Sequence, residues 1–572
     1  MNVARLNFSH GTHEEHAQVI ESIKRARKEK QLPIAIMLDT CGPEIRIGAV
    51  KNGSAQLEQG QELKLVAQTI EGDSQQVSVT PANVLSALEL DMQVLIDDGY
   101  ITTKVVSLDT DHAVLRVENK GVIKSRKGVN IPYAKLDLPA MTEQDKKDII
   151  FGCEQDVDII AASFIRTPEH VLEIKKLLAK HKKSDTLVIS KIESALGVKN
   201  FDAILQVSDG IMVARGDLGV ELPLTHVPKL QKMMIRKSYQ AFKPVVTATQ
   251  MLESMINNPL PTRAETSDVA NAIYDSTSAV MLSGETAVGN HAIEAVRIMR
   301  EIVIEAEQDF NYAELFYKDM TRLKFHDISS SVALATVKTA YSAEASVIFA
   351  FTNSGYTAKA MSRFRPEMPI LAITDNWKTY NQMAISWGVI PVHETVESLS
   401  KGIDAASCYA LQEKIVKYGD LVVITAGSPF GISGTTNTML VDNIGDVLVR
   451  GEPGEGRKAH GKISFVLAHE TDKHYLLKGR IVVLTHCDSS YEDTLTEAEG
   501  IVLQSHIEDT ESEKSAIELS KKLDIPILLR ADGATNLLRE GQLVTIDPQK
   551  GLLFKGYMEN DEEILKRYCK IT

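Results

Sequence analysis

Through the first half of the chain, short runs of β-branched and aliphatic residues alternate with longer stretches whose apolar positions recur every three to four residues. Period two reads as strand and period 3.6 as helix, so the alternation predicts βαβ units around a parallel sheet. Seven strands are predicted, at 2–9, 34–40, 158–164, 187–193, 210–217, 244–250 and 279–285. Amphipathic segments such as THEEHAQVIESIKRARKEK and EHVLEIKKLLAKH separate them. Every strand carries polar residues at its C-terminal end: Asn7 and Ser9, Asp39 and Thr40, Ser163, Lys191 and Glu193, Arg215 and Asp217, Thr249 and Gln250, Ser283 and Glu285. A (β/α)8 barrel builds its active site at that rim. Such a barrel needs eight strands and seven are counted here, so the expected fold is an α/β TIM barrel one strand short.

Other patterns interrupt or follow this one. Residues 43–137 switch to apolar–polar alternation (ELKLVAQ, QQVSVT, QVLIDDGYITTKVV) with DDG and NKG turn signals, which predicts a small all-β lid domain inserted in the barrel, 1–42 and 138–312. A second α/β pattern (ASVIFAFT, PILAIT, VIPVHE, LVVITAG) fills 313–450. The polar, Gly-rich GEPGEGRKAHGK at 451–462 reads as a linker, and 463–572 as a smaller αβ unit.

Composition narrows the function classes. A net charge of −14 disfavours non-specific nucleic-acid binding, although a local basic pocket for a phosphorylated small molecule stays possible. No apolar run approaches the ~20 residues of a membrane helix, which argues against a membrane partner. The five cysteines (Cys41, Cys153, Cys408, Cys487, Cys569) form no CxxC pair, so neither a disulfide framework nor a zinc site is expected, and a cytoplasmic location is.

KIES (191–194) and ARGDLG (214–219) place Glu193 and Asp217 at the ends of consecutive strands, with Lys191 beside the first. Two carboxylates so placed suit a hard divalent cation that takes its remaining ligands from water and substrate. A lysine beside them points to charge developing on an anion, as in phosphoryl transfer. A self-satisfied buried Lys–Glu pair is the plainer alternative, and the five other polar strand ends argue against it. Asn7, Ser9, Asp39 and Thr40 offer oxygens with a single formal charge, a set suited to a monovalent cation. Arg5 and Arg46 are placed for phosphate oxygens.

NVARLNFSHG, LDTCGPEIR, KGVNIP, LDLPAMTEQD, ASFIR, ISKIE, DGIMVARGDLGVE, ATQMLESM, PTRAETSDVANA and MLSGETA stand in one order and spacing across residues 2–287, within a resemblance that extends over roughly 1–450. In these motifs the chain resembles the pyruvate kinase family. The resemblance implies transfer of a phosphoryl group from phosphoenolpyruvate to ADP, giving pyruvate and ATP. It implies Glu193 and Asp217 as ligands of Mg2+ (or Mn2+), and Asn7, Ser9, Asp39 and the Thr40 carbonyl as a K+ site. Glu44 stands where the family's glutamate accompanies potassium dependence. Lys191 would stabilise the phosphoryl group in transit while Arg5 grips phosphate. His10, Arg46 and Asn7 would contact nucleotide. The backbone of Ala214, Arg215 and Gly216, Asp217 and the Thr249 side chain would hold the phosphoenolpyruvate carboxylate. Thr249 and Ser283 lie on the side where the enolate is protonated.

The 313–450 region resembles the family's regulatory domain. Thr352, Asn353, Ser354, Gly355 and Thr357 form a turn suited to the phosphate of an effector, and 427–438 resembles the bacterial form. The family is usually a homotetramer. Residues 515–556 resemble the swivelling phosphohistidine domain, with Ser515 at the histidine position and His506 too early to replace it. The chain departs from the family at Cys41 and Arg126, each at a usual lysine. The family carries a strand and helix before the stretch matched by MNVARLNFSHG, so the resemblance implies that the barrel's first strand is missing before Met1. A second reading follows: a catalytically impaired remnant that acts through effector binding and interaction.

Overall fold

In the computed structural model, all residues are described except 135, 321–326, 429–435, 467–476, 559–568 and 570–572, and the side chain of residue 319. The chain forms two compact units: 1–324 with 353–367 and 376–393, and 325–352 with 368–375 and 394–572.

The first unit is organised by a seven-stranded parallel sheet, in the order Val3–Asn7, Ala35–Asp39, Ile159–Ala162, Leu187–Ile192, Gly210–Ala214, Val245–Ala248, Ala279–Val280. These are the seven expected strands, and the first and last occupy the sheet edges. The register, Val3 opposite Ala35 and Asn7 opposite Asp39, brings the strand ends level. Period two then sorts the side chains. Leu6, Ile36, Leu38, Ile160, Val188, Ile192, Ile211 and Val213 share a core with the flanking helices. Val3, Ala35, Met37, Ile159, Ala161, Ile189 and Met212 pack on the other face. Arg5, Asn7, Asp39, Ser163, Lys191 and Glu193 continue the parity of this second face beyond its apolar layer. The fold therefore turns every one of them towards the same rim.

The amphipathic stretches read between the strands form helices, His13–Lys30 and Pro168–Lys180 among them. His13–Lys30 starts with a Thr12/Glu15 capping box and ends with Arg27, Lys28 and Lys30 in its last turn, satisfying both termini and the helix dipole. The same box, with Thr142 and Asp145, starts Glu143–Glu154.

Residues 46–130 form a seven-stranded, mostly antiparallel sheet and a separate strand pair, Ser54–Leu57 with Gly121–Lys124. Ile45, Leu63, Leu65, Val94, Leu115 and Ile131 belong to a core of their own. The alternating pattern is thus an all-β body, as expected, interrupted only by short 3-10 turns.

In the second unit, Ile370–Thr374, Val347–Phe351, Leu421–Gly427 and Thr436–Asn443 are neighbours in one sheet. A second, seven-stranded sheet spans 447–555. Residues 451–462, read as a linker, include the start of the strand Ala459–Phe465, which pairs with Leu543–Asp547. Glycine and charge suggest a tether, but backbone hydrogen bonds to Leu529 and Pro548 fix the segment.

The cysteine reading needs one correction. Cys408 and Cys569, 161 residues apart, form a disulfide, while Cys41, Cys153 and Cys487 are free thiols. Spacing carries no signal for partners brought together only by tertiary folding. Among the described residues, no helix is long and apolar enough to cross a membrane.

Candidate active site

The rim side chains form one hydrogen-bonded network. Arg5 Nε donates to Asp39 Oδ2 at 2.5 Å, and Lys191 Nζ donates to Asp39 Oδ1 at 3.0 Å. Lys191 also pairs with Glu193 at 3.0 Å and donates to Ser163 Oγ at 2.8 Å. Ser163 Oγ in turn donates to the Thr40 carbonyl at 2.6 Å, and the Phe164 N–H donates to Glu193 Oε2 at 2.6 Å. Asp39 and Glu193 are 0% and 1% exposed, so these charges depend on each other rather than on water.

Burial alone would raise the Asp39 carboxyl, yet Lys191 and Arg5 hold it below the usual range. Burial would likewise lower Lys191, but Asp39 and Glu193 keep its ammonium protonated well above the ordinary lysine value. Asp217 behaves oppositely: burial, then the charge of Glu193, pushes it up to about 7. An Asp217 carboxyl that resists ionisation beside Glu193 fits a divalent cation, which would offset both causes. Among the described residues no three His, Cys, Asp or Glu side chains could hold a metal together. A cation on Glu193 and Asp217 would therefore complete its shell with water and substrate, as Mg2+ commonly does.

Next to Asp217, Gly216 N–H donates to Thr249 Oγ1 at 2.9 Å, and Thr249 Oγ1 donates to the Ala248 carbonyl at 2.7 Å. Arg215 turns its side chain away onto Asp268, at 2.6 and 2.8 Å, and onto the Thr249 carbonyl at 2.6 Å. Thr249, Gln250 and Phe164 have φ of 66°, 52° and 51°, so the rim holds three non-glycine residues in the left-handed region. Such strain, ~1–3 kcal/mol each, gathers where surrounding contacts impose it. Ser283 N–H donates to Glu285 Oε2 at 2.7 Å, and buried Glu285 also accepts from Leu252 N–H.

The remaining expected residues are more scattered. Asn7 Oδ1 accepts from the Ser9 N–H at 3.2 Å. His10 is exposed, and its carbonyl meets His16. Arg46 pairs with Glu44 and donates to the Arg126 carbonyl. Cys41 is a part-buried thiol raised by burial and then by Glu44. Thr352 follows the strand Val347–Phe351, while Gly355 (φ 77°) precedes the helix Tyr356–Ser362, in which Thr357 is buried. Ser515 lies in the helix Thr510–Leu523 and His506 is exposed. Residues 429–435 of the 427–438 loop lie outside the described residues.

A cavity of about 810 Å³ separates the rim from the inserted sheet. Asp217, Phe164, Arg166 and Glu221 line it from the barrel, and Glu44, Arg46, Asp97, Lys127 and Asn130 from the insertion. Arg166 and Glu221 went unassigned in the sequence, though both stand in quoted motifs, ASFIR and GDLGVE. Burial pushes Arg166 down and Glu221 up, and Asn130 donates to Glu221 Oε1 at 3.2 Å. Their signal, charge a few residues past a strand end or at the close of the short helix Arg215–Glu221 that follows one, is legible only once the facing sheet is in place.

Known proteins resemble the chain over nearly its whole length. The pyruvate kinase barrel-domain family matches residues 1–296, and the pyruvate kinase alpha/beta-domain family matches 330–441. A pyruvate kinase of Geobacillus stearothermophilus is 41% identical over 565 residues, covering 97% of this chain and 94% of the relative. One of Staphylococcus aureus is 42% identical over 568 residues, covering 97% and 95%. The solved structure of a pyruvate kinase from Cryptosporidium parvum has a TM-score of 0.75 at 36% identity, covering 78% of this chain and 91% of that one. The reading as an impaired remnant finds no support in them. By sequence and fold, the chain belongs to the pyruvate kinase family, whose members are phosphotransferases.

Proposed function

We propose that the chain transfers the phosphoryl group of phosphoenolpyruvate to ADP, using Mg2+ (or Mn2+) at Glu193 and Asp217 and K+ at Asn7, Ser9, Asp39 and Thr40. The observation that carries this is Lys191, held 3.0 Å from both Asp39 and Glu193 at a rim where Asp217 is pushed up to about 7. When bound, the divalent ion supplies positive charge for the phosphate and enolate oxygens. The protein's part is positional. Lys191 and Arg5 present fixed positive charge to the phosphoryl group as it moves, without reorganisation at that moment. Gly216 and Thr249 orient the carboxylate end of the substrate, and Thr249 and Ser283 pass the proton to the enolate. Arg46 and His10 serve the nucleotide, and the inserted sheet excludes water on closing.

Regulation by a phosphorylated effector at the 352–357 turn, a homotetrameric assembly and a cytoplasmic location belong to the same proposal and rest on the family resemblance. A coupled assay of pyruvate release from phosphoenolpyruvate, ADP, Mg2+ and K+ tests the reading. Turnover is expected with K+ and is expected to fall at least ~10-fold with Na+ alone, ~1.4 kcal/mol of transition-state stabilisation. No pyruvate under the full mixture would overturn it.

A further inference from the structure

The turn between the strand Val3–Asn7 and the helix His13–Lys30 carries two of the residues proposed above to meet ligands, Ser9 and His10. Ser9, His10, Gly11 and Thr12 are all exposed, so packing does not fix its course. On the strand side Asn7 holds it: its Oδ1 accepts from Ser9 N–H at 3.2 Å and its carbonyl from His10 N–H at 3.3 Å. On the helix side stands His16, whose Nε2 lies 2.8 Å from the His10 carbonyl. A carbonyl only accepts, so this ring nitrogen carries a proton and donates it.

His16 is itself held in place. Its ring stacks on Phe8, with centroids 4.0 Å apart and planes 13° from parallel. Phe8 is buried, and its N–H donates to the Asp39 carbonyl at 3.0 Å, which ties the stacked pair to the neighbouring strand. One helical turn earlier, His13 stacks on Phe151 at 4.4 Å and its Nε2 meets buried Asp148 Oδ1 at 2.7 Å. The first turns of the helix are thereby fixed on Glu143–Glu154. Gly11, at φ 81°, lets the chain pass close by, since a Cβ there would come 3.3 Å from His16 Nε2. The helix start is already satisfied by the Thr12/Glu15 capping box, so the bond from His16 serves the turn.

We propose that His16 is a positioning residue of the reaction: its ring clamps the His10 carbonyl and so sets the turn that presents His10 to the nucleotide and Ser9 to K+. The role rests on the readings proposed above for His10 and Ser9, and His16 acts through them. Without the clamp the turn stays tethered at Asn7, but each ligand must order its exposed end on binding. The loss then falls on affinity for nucleotide and K+, not on the chemical step.

Two variants separate the bond from the ring. His16→Phe keeps the stack on Phe8 and removes the donor, while His16→Gln removes the ring and keeps an amide donor at similar reach. Calorimetric titration of MgADP onto the full chain, without phosphoenolpyruvate, is expected to show roughly 5-fold weaker binding in His16→Phe, the scale of one net hydrogen bond, and near-parent binding in His16→Gln. In the coupled assay, the KM for ADP and the K+ concentration for half activation are expected to rise in His16→Phe alone, at unchanged kcat and unchanged KM for phosphoenolpyruvate. Parent-like MgADP binding in His16→Phe overturns the proposal, as does equal weakening in both variants or a loss confined to kcat. A His16→Phe chain that melts far below the parent shows a role in folding and overturns it too. A parent that makes no pyruvate overturns the proposed function itself, and the ligand roles of His10 and Ser9 with it.

Discussion

At the scale of single residues, the rim is a balance of charges, and Lys191 is its pivot. It is the cation shared by Asp39 and Glu193, two carboxylates almost wholly withdrawn from water. Lys191→Met is therefore expected to lower kcat by roughly 10²–10³-fold, the scale of losing one preorganised electrostatic contact. Steady-state kinetics check it, and a change confined to KM would remove Lys191 from the transition state. Asp217 makes the complementary, pH-dependent prediction. Its folded-state value of about 7 lies above the ~3.9 of an unfolded aspartate. Both states bind the proton below pH ~4, so stability is unaffected there. As pH rises towards 7 the unfolded chain ionises first and stability falls, by up to ~4 kcal/mol before solvent screening. Thermal melts of the metal-free chain are expected to show this decline between pH 5 and 7, and Asp217→Asn to flatten it. Equal slopes in parent and variant would exclude Asp217 as the cause. The pair Glu193/Asp217 was legible in the sequence because KIES and ARGDLG end neighbouring strands. The shared lysine was legible only as a neighbour, since its bond to Asp39 spans 152 positions.

At the scale of elements, position is imposed by caps and turns as much as by strands. Asp145 closes the capping box of Glu143–Glu154 and also accepts the Gly42 N–H at 3.0 Å. Gly42 sits between Cys41 and the inserted sheet with φ 78°, and a Cβ there would come 2.8 Å from Ser163 Cβ. One buried carboxylate thus ties a helix start to the turn on which Thr40 and Ser163 depend. Asp145→Ala is expected to cost about 2–4 kcal/mol, the cap plus an unsatisfied N–H. Denaturant unfolding measures that cost. Turnover is expected to drop too, and retention of full stability would break the link. The seven barrel strands and the all-β insertion were readable from periodicity, because one buried face leaves a strict pattern. The strands Thr436–Asn443 and Leu552–Lys555 were not. The first is largely exposed and shows no alternation, and the second is only four residues long. The Cys408–Cys569 pair was invisible for a related reason: nothing local distinguishes either cysteine.

At the scale of the molecule, the inserted sheet and the barrel have separate cores on either side of the 810 Å³ cavity. An insertion with its own core can move as a body without exposing apolar surface, so its position is free to follow the ligand. The cavity walls oppose charges from both bodies: Arg46 and Lys127 on the insertion, Asp217 and Glu221 on the barrel. Lys127 pairs with Asp97 and Arg46 with Glu44, so each basic group on the insertion's wall is held by a carboxylate of the insertion itself. Hydrogen exchange with and without MgADP distinguishes closure from a rigid cleft. Closure is expected to slow exchange in 126–134 and in 164–166, which face each other across the cavity. Exchange at Leu63 and Leu65, inside the insertion's own core, is expected to stay unchanged. Uniform protection across 46–130 would instead indicate that nucleotide stabilises the insertion's fold, and no protection at 126–134 would mean that the cleft binds without closing. Only the first pattern is consistent with a body that moves whole, and so with the exclusion of water proposed for phosphoryl transfer at this rim.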